Sequence, residues 1–174
     1  MNIYIIHQSL SDNYKNHQML KELFPGEGKL LYQNKGSKLI VATTISLDPK
    51  FENEFNIEFF GKSNDLINKL NGEVLFSIRL NSVKGNKSKR FTLHKDQLPE
   101  WVDNKLSSLG ICYKTIKDEG VIMSIRKGEK CYHSSVLVTG FLKTDDKEML
   151  GNIVNNGIGH GKAFGFGLLN IFGI

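Results

Sequence analysis

Two groups of residues in this chain have the types and spacing needed for chemistry on a phosphate. In the first group, Tyr14, His17 and Lys21 recur at i, i+3 and i+7, so on a helix they would form one stripe. The unperturbed pKa of histidine lies nearest neutrality, so His17 can take and give a proton at pH 7. Tyr14, one turn earlier, can orient the imidazole or a substrate hydroxyl. An ordinary surface histidine is the alternative interpretation, and the stripe alone does not decide between the two.

The second group is a glycine-rich stretch near the end of the chain, residues 157–169, called here the glycine segment. Five of its residues are glycine, and Lys162 is its only charged residue. Glycines permit positive φ and let backbone N–H groups approach a ligand, so such a stretch can form a concave phosphate site. The spacing fits neither a nucleotide P-loop nor a dinucleotide fingerprint. A turn that merely packs tightly is the alternative.

The charge distribution indicates a polyanionic partner. The formal net charge is +5, and residues 79–95, called the basic segment, hold six Lys or Arg and no Asp or Glu. A localised basic stretch of this kind is typical of nucleic-acid contact. A solvated loop that keeps the protein soluble would have the same composition. The basic residues of the segment are Arg79, Lys84, Lys87, Lys89, Arg90 and Lys95.

Several classes of protein do not fit the sequence. It has no zinc-ligand spacing and no Asp cluster suited to a two-metal site, so we expect no metal and no cofactor. Cys112 and Cys131 have no metal-ligand spacing and are expected to be two buried, reduced thiols of a cytoplasmic protein. From the residues given, we expect neither a signal peptide nor a membrane-spanning run. Metal-free cleavage of a polyanion is possible for RNA, because its 2′-hydroxyl is an internal nucleophile beside the phosphorus.

The elements that would position these residues follow a repeated β-α-β-β-α-β order. Asp12 is predicted to cap a helix that runs to about Phe24 and includes the Tyr14 stripe. With strands flanking it and a strand at 73–82, the first half has the ferredoxin-like pattern. The second half reads similarly, with a hairpin turn at 118–120 and a helix capped by Asp145. We therefore predict domains at 1–85 and 97–174, joined by a basic linker, 86–96.

Three segments of the chain resemble the CasE family of CRISPR-associated endoribonucleases, the processing subunits of type I-E Cascade complexes. The first runs from Tyr14 through His17 to Pro25, the second from Phe76 to Asn81 and into the basic segment, and the third from Gly140 through the glycine segment. The resemblance implies an α+β fold of two tandem ferredoxin-like domains. It also implies that the chain binds a CRISPR repeat RNA hairpin and cuts it at the 3′ side of the stem. The products would be a 2′,3′-cyclic phosphate and a 5′-hydroxyl, with no metal involved.

The resemblance further implies roles for individual residues. His17 is expected to be the general base or acid with Tyr14 beside it, and Lys162 is expected near the scissile phosphate. The family often has a basic residue after the histidine, where this chain has Gln18, so Lys15, Lys21 or Lys162 would take over that contact. The expected RNA contacts are Arg79, Lys84, Lys87, Lys89, Arg90, Gly157, Gly159, His160, Gly161, Gly165 and Gly167.

The implied partners are the repeat RNA, the mature crRNA and other Cascade subunits, with no membrane. Two other function classes stay open at this stage. One is a protein of the same fold that holds an RNA hairpin without cutting it. The other is a domain that binds a small molecule or a protein and has an incidental basic loop.

Overall fold

The computed structural model describes residues 1–85 and 90–171 and contains two four-stranded antiparallel sheets. In chain order, the elements of the first part are β1 Asn2–Ile6, α1 Asn13–Leu23, β2 Leu30–Lys35, β3 Lys38–Thr43, β4 Ile57–Lys62 and α2 Ser63–Lys69. Those of the second part are β5 Glu73–Asn81, β6 Val83–Gly85, β7 Arg90–Thr92, α3 Leu98–Leu106, β8 Ile111–Arg126, β9 Glu129–Lys143, α4 Lys147–Asn156 and β10 Leu169–Ile171.

The strand order of both sheets confirms two tandem ferredoxin-like units of the α+β class. The first sheet is ordered β2-β3-β1-β4 and the second β10-β5-β9-β8. In each unit, therefore, the first and third strands are central and the second and fourth lie at the edges. The strands β6 and β7 form a separate two-stranded ribbon between β5 and α3. Among the described residues, no helix is long and apolar enough to cross a membrane.

The assignment of strand 73–82 to the first unit is wrong. This strand, β5, pairs with β9 and β10 and opens the second unit. Its residues Phe76, Ile78 and Leu80 are buried in the core that α3 and α4 cover, which is why it pairs there. The fourth strand of the first unit is β4, from a stretch that the sequence left unassigned. Because a boundary at residue 85 separates β5 from its partner strands, we propose that the units divide between β4 and β5.

The turn predicted at 118–120 is also wrong. The strand β8 continues to Arg126, and the stretch 118–120 is a bulge where its register with β9 shifts. The hairpin turns instead at Lys127 and Gly128, whose φ angles of 52° and 81° are the positive values that tight hairpins require. The helix predicted to be capped by Asp145 is capped one residue later, because the N–H of Met149 donates to Asp146 Oδ1 at 2.8 Å. Cys112 is exposed and Cys131 is half-buried, contrary to the expectation of two buried thiols.

The bulge in β8 places Glu119 against Arg79 of β5. Arg79 Nε and Nη2 donate to the Glu119 carboxylate at 2.6 and 2.9 Å, and the Ser135 hydroxyl donates to the same group at 2.6 Å. Arg79 Nη1 also donates to the carbonyl of Asn34 in β2 at 3.0 Å, which ties the first sheet to the second. Both charged side chains are largely buried, with 17% and 19% exposure. Arg79 is therefore a structural link between the two units.

Glu119→Gln should destabilise the fold by about 3 kcal/mol, because Arg79 would be left without its charged partner. Burial by itself raises the pKa of Glu119, but the hydrogen bonds from Arg79 and Ser135 and the charges of Arg79 and Lys117 outweigh it, so the pKa is lowered overall. This group therefore stabilises the fold above the unfolded pKa of about 4.3 and loses that effect as pH falls through the folded pKa.

Urea unfolding followed by circular dichroism between neutral and acidic pH measures both effects. The exposed Glu54 provides a matched control, and Glu54→Gln should change the free energy of unfolding by less than about 0.5 kcal/mol. Equal stability of Glu119→Gln and Glu54→Gln at neutral pH would show that the ion pair does not hold the units together.

Candidate active site

The start of α1 is fixed by one carboxylate. Asp12 Oδ1 accepts hydrogen bonds from the N–H groups of Tyr14 at 2.7 Å and Lys15 at 3.2 Å, as the predicted N-cap should. Asp12 Oδ2 accepts a further bond from the N–H of Ile125, near the end of β8, at 3.0 Å. The same side chain therefore begins the helix and sets its position against the β8–β9 hairpin.

The glycine segment is held against α1 by the buried side chain of Tyr32. Its single hydroxyl proton is shared between the carbonyl of Asn13 in α1 and, at 3.2 Å, the carbonyl of Ala163. Burial, reinforced by the nearby charge of Asp12, raises the pKa of Tyr32 far above its usual value, so the hydroxyl keeps its proton. Gly165 lies directly on the ring, where a Cβ would come within 3.1 Å of Tyr32 Cε2. The two elements therefore share one rigid contact.

A surface depression lies where α1, the end of β8 and the glycine segment meet. The ring centroids of Tyr14 and His17 lie 6.2 Å apart, and Tyr14 also packs on Phe164 at 5.6 Å. Lys162 belongs to the short helical turn Lys162–Phe164, which contacts α1. The structure thus brings the stripe on α1 next to the glycine segment. The depression is lined by Tyr14, His17, Gln18, Lys21, Glu22, Arg126 and Ala163.

The surroundings of His17 favour its neutral form. Burial lowers the pKa of His17, and the positive charges of Lys21 and Arg126 lower it further. Its Nδ1 is buried and has no hydrogen-bond partner among the residues that the structure describes. Only Nε2 is therefore left to exchange a proton with a substrate. At neutral pH the uncharged imidazole is therefore favoured, with two cations in the same depression, which suits a general base that acts on a phosphate ester.

Internal packing accounts for part of the glycine segment. The N–H of Ile158 donates to the carbonyl of Gly167, and the N–H of Gly167 donates to the carbonyl of Arg79, both at 2.8 Å. A Cβ at Gly167 would lie 2.4 Å from the Ile158 carbonyl oxygen, and one at Gly157 would lie 2.9 Å from that of Gly167. Gly165 and Gly167 are buried. Tight packing of the turn is therefore enough to explain why these positions are glycine, without any contact with RNA.

The middle of the glycine segment is more open. Gly159 and His160 are exposed, and Gly161 is half-buried beside Phe166 and Asn81. Gly159 and His160 line a second depression together with Lys84, which is also exposed. Of the predicted RNA contacts, the exposed Gly159, His160 and Lys84 and the half-buried Gly161 therefore have backbone or side-chain groups that a ligand can reach.

The basic segment is only partly described. Lys87 and Lys89 lie outside the described residues, and Arg90 is described only by its backbone in β7. Arg79 is engaged in its ion pair with Glu119, so its guanidinium is not available to a phosphate as it stands. Within the described residues, no three His, Cys, Asp or Glu side chains are grouped so that they could hold a metal ion.

Sequence reasoning missed one residue of the site. Arg126 lines the depression although it is far from α1 in sequence, and no spacing in the sequence indicates this. His133, a weaker candidate than His17 from the sequence, is buried against Phe164, with ring centroids 4.0 Å apart and Nε2 3.2 Å from the Ser124 hydroxyl. His133 therefore packs beneath the glycine segment, while His17 lines the depression.

The sequence matches the model of a family described as CRISPR associated protein over residues 4–172. No curated protein matches the sequence. The fold is similar to that of a CRISPR endoribonuclease Cse3 bound to 19-nucleotide RNA, with a TM-score of 0.75, 20% identity and 98% and 99% of the two chains covered.

Two further structures share the fold. The first is the CRISPR-associated protein Cas6e from Escherichia coli K-12, with a TM-score of 0.68, 19% identity and 98% of each chain covered. The second is a chain of a CRISPR RNA-guided surveillance complex, with a TM-score of 0.72, 18% identity and 98% of each chain covered. Because the sequence identities are this low, the structural similarity shows a common fold alone.

Arg126→Gln and Lys21→Gln should each raise the pKa of His17 towards its usual value of about 6.5, because each removes a positive charge that opposes protonation. An NMR titration of the His17 ring proton measures the pKa directly. Lys15→Gln is the matched control, since Lys15 is an exposed cation on the same helix that does not line the depression. An unchanged His17 pKa in both site variants would contradict the electrostatic description of the depression.

Proposed function

This chain belongs to the family of CRISPR-associated proteins, and we propose that it is a metal-independent endoribonuclease that processes CRISPR repeat RNA. It binds the repeat hairpin and cuts at the 3′ side of the stem. The observation on which the proposal rests is the half-buried His17, which lines a depression beside the glycine segment together with Lys21 and Arg126, and whose pKa is lowered by burial and by these two cations. The similar Cse3 and Cas6e structures support the proposal through their common fold.

The residues of the depression fit transesterification by the RNA 2′-hydroxyl. His17 Nε2 takes the proton of the 2′-hydroxyl, and the 2′-oxygen forms a bond to phosphorus as the bond to the 5′-oxygen breaks. The 5′-oxygen takes a proton from solvent, which leaves a 2′,3′-cyclic phosphate and a 5′-hydroxyl. Tyr14 orients the nucleophile. Lys162 does not line the depression, but it precedes the lining residue Ala163, and we assign to it the stabilisation of the charge that builds up on the phosphorane. Lys21 and Arg126 add positive charge at the same place.

The RNA stem is held by basic residues outside the depression. We assign this contact to Lys87, Lys89 and Arg90, and contacts with RNA next to the stem to Lys84 and the open part of the glycine segment at 159–161. Arg79 is not among them, because its ion pair with Glu119 already satisfies it. RNA duplexes are recognised through their shape and phosphate positions, so these residues should set affinity and its salt dependence.

The proposal also includes the setting in which the chain works. Its product would be the mature crRNA, and its protein partners would be other Cascade subunits. The similarity to a chain of a CRISPR RNA-guided surveillance complex supports this assignment. We place this activity in the cytoplasm, with no membrane partner.

A protein of the same fold that binds the hairpin without cutting it is the competing proposal. A passive binder has no need of an imidazole kept neutral by burial, so the surroundings of His17 favour the enzyme. Incubating the protein with repeat RNA from its own locus in EDTA separates the two. Cleavage supports the nuclease, and a gel shift without cleavage supports the binder. If the RNA is neither cut nor shifted, both proposals are rejected and the chain binds a different ligand.

His17→Ala should reduce the cleavage rate by about 10²- to 10⁴-fold, because it removes the proton acceptor. Affinity for the repeat hairpin should stay within a few-fold, because the stem contacts lie elsewhere. Single-turnover cleavage and filter binding measure the two quantities. His94→Ala is the control, since His94 is exposed and contacts Asp96, outside the depression. An equal loss of cleavage and binding in His17→Ala would reject its catalytic role.

A further inference from the structure

A second depression lies beside the glycine segment and shares no lining residue with the one around His17. We call it the Trp101 pocket. Its volume is about 270 Å³, and none of its lining residues is acidic. It lies between the end of β5, the start of β6, the helix α3 and the exposed part of the glycine segment. The residues that matter to its chemistry are Asn81, Lys84, Trp101, Lys105, Gly159 and His160.

The pocket combines positive charge with an aromatic ring. Lys84 comes from β6, and Lys105 from α3, one turn after Trp101 on the same helix. Trp101 is half-buried and packs against the core of the second unit, so the orientation of its indole is fixed. Unpaired nucleotides are typically held by aromatic side chains on which the bases stack and by cations that bind the phosphates. The pocket has both components.

A buried hydrogen-bond acceptor at the pocket is a second, independent feature that points to a ligand. Asn81 is 9% exposed, and its Oδ1 has no hydrogen-bond partner among the described residues. An acceptor left in this state costs free energy, which a donor from a ligand recovers. The ring N–H and amino groups on the edge of a nucleobase are donors of this type. Asn81 therefore adds a means of reading a base to a pocket that already suits a phosphate and a stacked ring.

We propose that the Trp101 pocket binds one unpaired nucleotide of the RNA substrate, a proposal that rests on the function proposed above. The base stacks on Trp101 and donates to Asn81 Oδ1, while its phosphates contact Lys84 and Lys105. The volume is near the lower end of about 300–1,000 Å³ found for small-molecule sites, which suits a single nucleotide and excludes a duplex. Gly159 and His160 line the pocket, and Lys162 follows within three residues, so this nucleotide lies close to the scissile linkage.

Trp101 is the only tryptophan in the chain, so its fluorescence reports directly on the pocket. The repeat RNA is titrated into His17→Ala, which leaves the RNA uncut, and we expect the fluorescence to be quenched as the RNA binds. The titration is repeated with RNAs that each have one abasic position among the unpaired nucleotides. One abasic RNA should bind without quenching, and that position identifies the nucleotide.

Lys105→Ala tests the phosphate contact without disturbing the Trp101 ring. We expect repeat RNA to bind about 3- to 10-fold more weakly, with the slope of log affinity against log salt reduced by about one. Lys69→Ala is the matched control, because Lys69 is an exposed lysine of α2 outside the pocket, and it should change neither quantity. An unchanged affinity and salt slope in Lys105→Ala would overturn the phosphate contact.

The remaining outcomes separate this inference from the proposed function. RNA that is bound and cut without quenching, or quenching that no abasic position removes, would overturn the nucleotide pocket and leave the nuclease intact. Quenching by adenosine monophosphate with none by RNA would assign the pocket to a free nucleotide and also overturn it. If the repeat RNA neither binds nor is cut by the unmutated protein, the proposed function fails and the inference fails with it.

Discussion

The candidate site depends on one buried hydroxyl, that of Tyr32. Its one proton is shared between a carbonyl of α1 and a carbonyl of the glycine segment, two elements that are far apart in the chain. The ring that bears it also lies nearly parallel to the imidazole of His17, with centroids 6.3 Å apart and an angle of 17° between planes. Because Gly165 has no side chain, the glycine segment can also pack directly against the carbon atoms of the Tyr32 ring. The distance between His17 and the glycine segment is thus set by a rigid side chain in the core, as the proposed chemistry requires.

The charges around His17 have two effects that act in the same direction. Lys21 and Arg126 lower its pKa, which keeps the imidazole unprotonated and ready to accept a proton. In the proposed mechanism, the same cations attract the phosphate that brings the 2′-hydroxyl to His17. Once a phosphate binds, its negative charge offsets theirs and makes protonation of the imidazole more favourable. His17 would therefore become a stronger base only when substrate is present.

Local signals in the sequence predicted the local parts of the site. The Asp12 cap, the helical spacing of Tyr14 and His17, and the glycine segment before a final strand are all found in the structure. The partners of β5 and the bulge at Glu119 were not predictable, because strand pairing depends on residues distant in sequence. Arg126 was missed for the same reason, since only the uninterrupted β8 brings it to α1. The resemblance to a known family, and not spacing, suggested a role for Lys162.

The most direct test of the account is a structure of the protein bound to repeat RNA with a 2′-deoxy nucleotide at the cleavage position, which prevents cutting. We expect the scissile phosphate to lie in the depression, between the glycine segment and α1. The 2′-carbon should then be placed so that a hydroxyl on it would reach His17 Nε2 at about 2.6–3.2 Å, directly or through one water. A scissile phosphate bound on any other surface, with His17 facing no part of the RNA, would contradict the account.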